Sequence, residues 1–149
     1  MHSDSGVALL PHIPVLIKTK KSTLFDFVPR TLAEHLWKQR RMLILTQEEA
    51  AGRIGANTET YQHWEKGYTE PEVESLPAII RFLGYDPFPP PTTLPERMVA
   101  KRRVMGWTLK EAARNFGVDR KTWKVWEEGR TPLPEHGNRL EQLLGLSPV

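Results

Sequence analysis

Residue types that commonly carry catalysis are few and scattered in this 149-residue sequence, which has no cysteine and five histidines. Without cysteine there can be no thiol nucleophile, thiolate metal ligand or disulfide. No two histidines have the spacing of paired metal ligands on a helix, and there is no glycine-rich nucleotide-binding loop. The sequence therefore predicts a protein that is not an enzyme and needs no cofactor, metal or small-molecule substrate.

Charge is distributed unevenly along the chain. Residues 31–90 contain six Lys or Arg and nine Asp or Glu, a formal charge of −3, whereas residues 91–149 contain eleven and seven, a charge of +4. The basic residues of the second half include Lys101, Arg103, Lys110, Arg120, Lys121, Lys124 and Arg130. A charge cluster is usually a solvated face, so its position decides whether it is informative.

The sequence contains an internal repeat. The string aromatic-x-x-Trp-Glu-x-Gly occurs as YQHWEKG from Tyr61 and as WKVWEEG from Trp123. At an offset of 62, fourteen residues from Leu32 to Thr69 meet an identical residue, and four more match at an offset of 61 after one deletion. Such self-similarity indicates two copies of one structural unit.

The repeat and the prolines divide the chain into four segments. Residues 1–30 have no sustained periodicity and are interpreted as an extended N-terminal arm, followed by a first unit over residues 31–86. Four prolines fall within residues 87–93, which are predicted to form an extended linker. The second unit covers residues 94–149. If extended, residues 84–93 would reach roughly 30 Å, at about 3.1 Å per residue.

Each unit has the sequence signals of short helices. Leu32, Leu36 and Leu43 mark the buried stripe of a first helix. Thr46 and Glu49 form a capping-box pattern for a second helix, which is predicted to end at Gly55. A third helix begins after Asn57 in the first unit, or after Asp119 in the second. Two short helices joined by a glycine-containing turn form a helix-turn-helix arrangement.

The segments LTQEEAAGRIGANTETYQHWEKG and WTLKEAARNFGVDRKTWKVWEEG resemble the helix-turn-helix of phage-repressor-like regulators, the Cro/CI or XRE family. The resemblance covers most of residues 31–87 and 94–148. It implies an all-α protein with two repressor-like helix-turn-helix bundles in tandem and an extended N-terminal arm. In that family the third helix enters the major groove of DNA and its early residues meet base edges.

The resemblance also implies which side chains face DNA. By position in the motif, the base-contacting residues are Thr58, Glu59, Gln62 and His63 in the first unit and Arg120, Lys121, Lys124 and Val125 in the second. Lys101, Arg103, Lys110 and Arg130 are placed to meet phosphates. The family commonly uses a Gln at the start of the second helix. Gln47 supplies it in the first unit, but Leu109 replaces it in the second, so this contact does not carry over.

Other repeated residues are interpreted as scaffold. The three-residue spacing of Tyr61 and Trp64, and of Trp123 and Trp126, places each aromatic pair on one helical face, where core packing is favoured over base stacking. The family pattern pairs Glu65 with Arg40, and Glu127 with Arg102, so that the first helix is tied to the third. His63 is equally compatible with a base contact and with an exposed helix position.

The acidic first unit has three interpretations. It reads bases through Gln47, Gln62 and His63 with little help from phosphate attraction, since Gln recognises adenine and Glu59 accepts from cytosine. Alternatively, it is a protein-binding or dimerising unit in which Glu59 disfavours DNA. The third possibility is a spacer fold. The basic second unit is expected to bind DNA more strongly, because neutralising phosphates supplies much of the affinity.

The N-terminal arm also has alternatives. The basic string IKTKK within it is suited to a DNA backbone or minor groove. Equally, the neighbouring apolar residues are suited to a protein partner or to packing on the first unit, with Phe25 and Phe27 as anchors. Residues 7–17 are broken by Pro11, His12 and Pro14, so they predict neither a membrane span nor a signal peptide.

These observations predict a sequence-specific regulator of transcription, of bacterial or phage type, that binds double-stranded DNA through the third helix of each repeat. The predicted location is cytoplasmic and nucleoid-associated. The alternative is a protein-interaction adaptor or antitoxin-like partner built on a repressor fold, with self-association or a protein partner held through the first repeat or the arm.

Overall fold

The computed structural model describes residues 26–145. Within this range the chain is all-helical, with eight α-helices, one 3-10 turn and no strand. The helices are α1 (Leu32–Met42), α2 (Gln47–Ile54), α3 (Thr58–Glu65), α4 (Leu76–Leu83), α5 (Leu94–Met105), α6 (Leu109–Phe116), α7 (Arg120–Glu127) and α8 (Pro134–Leu143), and the 3-10 turn is Val73–Ser75. None of the helices that the structure describes is long and apolar enough to cross a membrane. Most of the predicted arm lies outside the described residues, which include only 26–30 of it.

The helices begin at the caps that the sequence predicts. The side chain of Thr46 accepts a hydrogen bond from the backbone N–H of Glu49, and the Glu49 carboxylate accepts one from the N–H of Thr46. The same capping box occurs at Thr108 in the second unit. Asn57 and Asp119 cap α3 and α7. These predictions are confirmed, and each cap satisfies backbone donors that a helix start leaves free.

Two separate cores hold the helices. The first unit is built around Leu36, Ile79 and other aliphatic side chains, with Tyr61 and Trp64 from α3 buried among them. The second unit is built around Phe116, Trp123 and Trp126, which contact one another edge-on or tilted, and Met98 and Leu140 complete it. Each core lies behind the helix-turn-helix pair of its unit, so it holds the pair in a constant orientation.

The two units are in direct contact. The 3-10 turn and α4 of the first unit pack against α5 of the second. At the end of α5 the backbone passes so close to Pro77 that a Cβ added to Gly106 would lie 2.9 Å from the proline Cγ. The linker has no helix, as predicted, but Phe88 within it packs against the first core. The prolines therefore do not hold the units apart as a free spacer would.

Candidate nucleic-acid interface

A carboxylate at the end of α3 ties three helices of the first unit together. Nε and Nη2 of Arg40 on α1 each donate to Glu65 at 2.7 Å, in a two-pronged ion pair that is almost completely buried. Nη1 of Arg40 also donates to the carbonyl oxygen of Leu45, at 2.9 Å. The predicted tie between the first and third helices is confirmed, and a bidentate guanidinium–carboxylate pair orients both partners.

Gln47 extends this network to the outer face of α3. Its Nε2 donates to Oε1 of Glu65 at 3.1 Å, and its Oε1 accepts from Nε2 of Gln62 at 3.1 Å. Gln47 and Gln62 are both half-buried. The two amides therefore form a chain that leads from the buried ion pair to the surface, and Gln62 is held in one orientation by its neighbour.

The pKa of Glu65 reports the balance of forces at this carboxylate. Burial alone would raise the pKa, but hydrogen bonds from Arg40 and Gln47 outweigh it and hold the pKa below the ordinary value of 4.5. The carboxylate is therefore ionised at neutral pH despite its burial, because its donors stabilise the charged form.

The second unit has the same ion pair with a different third donor. Nε and Nη2 of Arg102 donate to Glu127 at 2.6 and 2.9 Å. Leu109 has no amide to donate, and Nε1 of Trp123 donates to Oε1 of Glu127 at 2.7 Å instead. The tie is again confirmed, but no polar chain leads from it to the outer face of α7 through position 109.

The outer face of α7 carries exposed cations. Arg120, Lys121 and Lys124 all lie on the surface, and Lys110 and Arg130 are exposed at the ends of the neighbouring segments. The ammonium of Lys124 lies 3.5 Å from Glu128, an exposed pair that binds it only weakly. Trp123 and Trp126 point the other way into the core, as predicted, and Val125 is half-buried. The helix is therefore amphipathic, with a cationic outer stripe over an aromatic inner one.

The outer face of α3 is less charged. Thr58, Gln62 and His63 are half-buried, and Glu59 is exposed in the first turn. The His63 ring lies 6.0 Å from the Tyr68 ring, so this histidine is partly covered by the segment after the helix. The predicted residues do lie along one short helix, and within residues 26–145 only Gln62 among them has its polar end fixed by another side chain of the site.

Two predicted phosphate contacts are placed differently from the rest. Arg103 on α5 stacks its guanidinium 4.0 Å above the Phe88 ring, where the linker passes. Burial in this position lowers the pKa of Arg103 from its usual value, with the negative charge of Asp86 acting in the opposite direction. Lys101, two residues earlier on α5, is half-buried. Arg103 thus contacts the linker, and its role at phosphates remains a prediction.

Two features of the site were not anticipated. The donation from Trp123 to Glu127 spans four residues of one helix, a spacing at which helical side chains meet, so it was available as a sequence signal. The contact between the Gln47 and Gln62 amides joins different helices, so no pattern of neighbouring residues predicts it.

Comparison with known proteins agrees with part of this description. Residues 38–88 match a family model described as Helix-turn-helix. No curated protein and no solved structure matches the chain. The match covers the C-terminal part of α1, all of α2, α3 and α4, and the linker as far as Phe88. Residues 38–88 therefore carry a helix-turn-helix domain of the XRE or Cro/CI-like type, which is a DNA-binding regulatory domain.

Proposed function

We propose that this chain is a sequence-specific transcriptional regulator, of bacterial or phage type, that binds double-stranded DNA through two helix-turn-helix repeats in tandem. The observation that carries the proposal is the cationic outer stripe of α7, which lies on the same scaffold of caps and ion pair as the domain at residues 38–88. In this proposal α3 and α7 are the helices that enter the major groove.

The second repeat is the stronger binder in this proposal. Arg120 and Lys121 begin α7, where an Arg is well suited to the O6 and N7 acceptors of guanine and a Lys to the same edge or to a phosphate. Lys110 and Arg130 flank the helix and are exposed, so they are available to phosphates. Each phosphate contact releases counterions, and binding is expected to weaken steeply as salt rises.

The first repeat reads bases with less help from charge. Gln62 presents an amide that Gln47 already holds in place, which reduces the conformational entropy lost on binding. A Gln amide matches the N6 and N7 edge of adenine, whereas the exposed Glu59 matches the amino group of cytosine. Because the two helices differ at every predicted contact position, a single chain prefers an asymmetric DNA site.

One observation favours a second candidate for the first repeat. Glu59 stands in the first turn of α3, and the first half has a net charge of −3, so this surface repels phosphates. A protein-interaction role, as in an adaptor or an antitoxin-like partner, fits an acidic face better than a DNA role does. DNA would then be bound by the second repeat alone.

The direct test is the double substitution of Arg120 and Lys121 by Ala in the intact chain. Both side chains are exposed, and neither makes an ion pair with another residue in the described range 26–145, so the fold is expected to survive. Each is expected to cost about 1–3 kcal/mol of binding free energy if it makes a good base contact. The matched control replaces Arg53 and Arg81, which removes the same charge from exposed positions of the first unit.

DNA binding is measured by fluorescence anisotropy at several salt concentrations, on duplexes selected from a random pool and on random duplex. A folded Arg120/Lys121 variant that binds like the Arg53/Arg81 control would overturn the role assigned to α7. The variant Thr58→Ala/Glu59→Ala then separates the two candidates for the first repeat. A changed footprint at one end of the site supports base reading by α3, and an unchanged footprint supports the protein-interaction role.

A further inference from the structure

A concave pocket lies between the linker and the second unit. Pro95, Val99 and Arg103 are four residues apart along α5, so they share one face of the helix. Together with the linker and the end of α7, this face encloses a volume of about 500 Å³. Apolar pockets of this size with a few polar groups are the usual binding sites of small organic molecules. The linker contributes a wall of rigid rings, from Pro89, Pro90 and Pro91.

Three charged residues line this pocket, and the two carboxylates among them already have partners. Glu127 accepts from Nε and Nη2 of Arg102, at 2.6 and 2.9 Å. Glu96 accepts from the backbone N–H and the hydroxyl of Thr92, at 2.8 and 2.9 Å. The third charged residue is Arg103, which makes no ion pair with any carboxylate of residues 26–145. The pocket wall therefore has one positive charge without a direct partner.

Arg103 is held in place at the pocket before any ligand binds. Its guanidinium carbon lies 4.0 Å from the centre of the Phe88 ring, and the residue is half-buried. Its Nε is closed off from water and has no hydrogen-bond partner among the residues that the structure describes. Folding has therefore already removed part of the hydration of this charge. An anion at the outer end of the guanidinium is attracted more strongly than at an exposed arginine, because less water screens the pair.

The first unit has a groove at the corresponding place, but no arginine lines it. This groove, of about 390 Å³, also lies between the start of the first helix and the end of the third. At the offset of 62, Trp37 corresponds to Val99, so a bulky indole replaces a small side chain in the wall. Arg41, the counterpart of Arg103, is exposed and is not part of the groove wall. Within the described part of the chain, the arginine-lined groove is therefore particular to the second unit.

We propose that the pocket of the second unit binds a small organic carboxylate with an apolar body. The carboxylate accepts two hydrogen bonds from the outer end of the Arg103 guanidinium, whose planar fork matches it. The apolar body lies against Val99 and the prolines, where its contact with water is removed. A single charge on the ligand balances the single cation without a partner. Inorganic phosphate and the phosphates of DNA have no apolar body, so they match only the arginine end.

The test titrates the full chain with four probes and follows the backbone amide signals by NMR, which gives both the affinity and the place of binding. The probes are 2-naphthoate, its uncharged amide, acetate and inorganic phosphate. The first has both the charge and the apolar body, and each of the others lacks one of them. We expect 2-naphthoate to shift the amide signals of Val99 and Arg103 and to bind about tenfold more tightly than any other probe, since a charge-assisted hydrogen bond or the buried rings are missing there.

Variants separate the two ends of the pocket. Arg103→Gln removes the charge, and Val99→Trp places in the wall the residue that the first unit has there. Each is expected to weaken 2-naphthoate binding about tenfold or more. The matched control is Arg41→Gln, which removes the same charge at the corresponding position of the first unit and is expected to leave binding unchanged. Thermal melting establishes that each variant is folded, and Arg103→Lys, which keeps the charge but not the planar fork, replaces Arg103→Gln if the latter melts early.

Three outcomes would overturn the proposal. The first is no saturable binding of 2-naphthoate, or equal binding of its amide, because the arginine would then select no charge. The second is a set of shifted signals around Trp37, which would place the probe in the groove of the first unit. The third is a loss of duplex DNA affinity in Arg103→Gln without any effect on 2-naphthoate, which would assign Arg103 to DNA phosphates. The chain with Arg120→Ala and Lys121→Ala is expected to bind 2-naphthoate like the wild type, so this test is independent of the proposed DNA contacts of α7.

Discussion

The two units bind the same buried carboxylate with different third donors. In the first unit Glu65 accepts from the amide of Gln47, and in the second Glu127 accepts from the indole of Trp123. An amide has a second polar end, which Gln47 uses to hold Gln62 on the outer face of α3. An indole has only one donor, so the network in the second unit ends in the core.

Under the proposed function, this difference gives two ways of preparing a helix to bind DNA. The first unit fixes the orientation of an amide on α3, which favours discrimination between bases. The second unit presents flexible cations on α7 above an aromatic core, which favours attraction to phosphates. The scaffold is conserved between the repeats while the outer face changes, so function in this fold depends on the residues at the site.

The largest expected effect concerns the cores of the two units. Trp126→Ala is expected to cost about 3–5 kcal/mol of unfolding free energy, because a buried indole is lost and the cavity is only partly refilled. The Trp126→Ala variant also loses the aromatic contacts that Trp126 makes with Phe116, Trp123 and His136. Trp64 has no aromatic neighbour of this kind among the described residues. Urea unfolding should therefore show a smaller loss for Trp64→Ala. Equal losses would mean that the aromatic cluster adds nothing beyond burial.

An intermediate loss of stability is expected when the third hydrogen bond to the buried carboxylate, the one that does not come from the arginine, is removed. Trp123→Phe removes the hydrogen bond to Glu127, and Gln47→Leu removes its counterpart to Glu65. A hydrogen bond to a charged group contributes about 1.5–3 kcal/mol, so both variants should be less stable, Trp123→Phe more so because its ring is fully buried.

Adding Leu109→Gln to Trp123→Phe sharpens this test, because it places an amide where the first unit has one. Part of the lost stability should return, measured again by urea unfolding. If Leu109→Gln gives no recovery, the two donors are not interchangeable and the units differ in more than this residue.

The smallest expected effect is on the pH dependence of the first unit's stability, since a pKa shift of one unit corresponds to about 1.4 kcal/mol of free energy. The pKa of Glu65 is lower in the folded chain than its ordinary value of 4.5, so its contribution to stability is present above that value. The contribution is lost as the pH falls through the folded pKa. The stability difference between wild type and Glu65→Gln should therefore shrink below pH 4.5. A difference that is constant from neutral to acid pH would contradict the assigned pKa shift.

The parts of the fold that were predicted correctly rest on local patterns or on the family resemblance. The capping boxes depend on residues three apart, whereas the ion pairs at Glu65 and Glu127 were implied by the resemblance to repressor-like regulators. A first capping box in each unit, at Thr31 and Thr93, escaped prediction although the same Thr-x-x-Glu pattern is present. The Thr-x-x-Glu pattern therefore predicts these helix starts as well.

The parts that escaped prediction depend on the path of the chain in space. Arg103 was assigned to phosphates from its charge, and its position over Phe88 follows from where the linker runs. Four prolines predict an extended backbone but not its direction, so the contact between Gly106 and Pro77 was not foreseeable. All candidate base-contacting residues remain predictions, since their positions on α3 and α7 are compatible with DNA binding without establishing it.

The contact between Gly106 and Pro77 makes the order of the two units along the chain matter. If the gene segments for the two units were exchanged, Ile44 would take the place of Gly106 and Asn138 that of Pro77. The close approach of the backbone at Gly106 leaves no room for even a Cβ, so a permuted chain could not reproduce the present junction. The two halves have thus become non-interchangeable parts, and loss or rearrangement of either one would remove a partner that the other is shaped to fit.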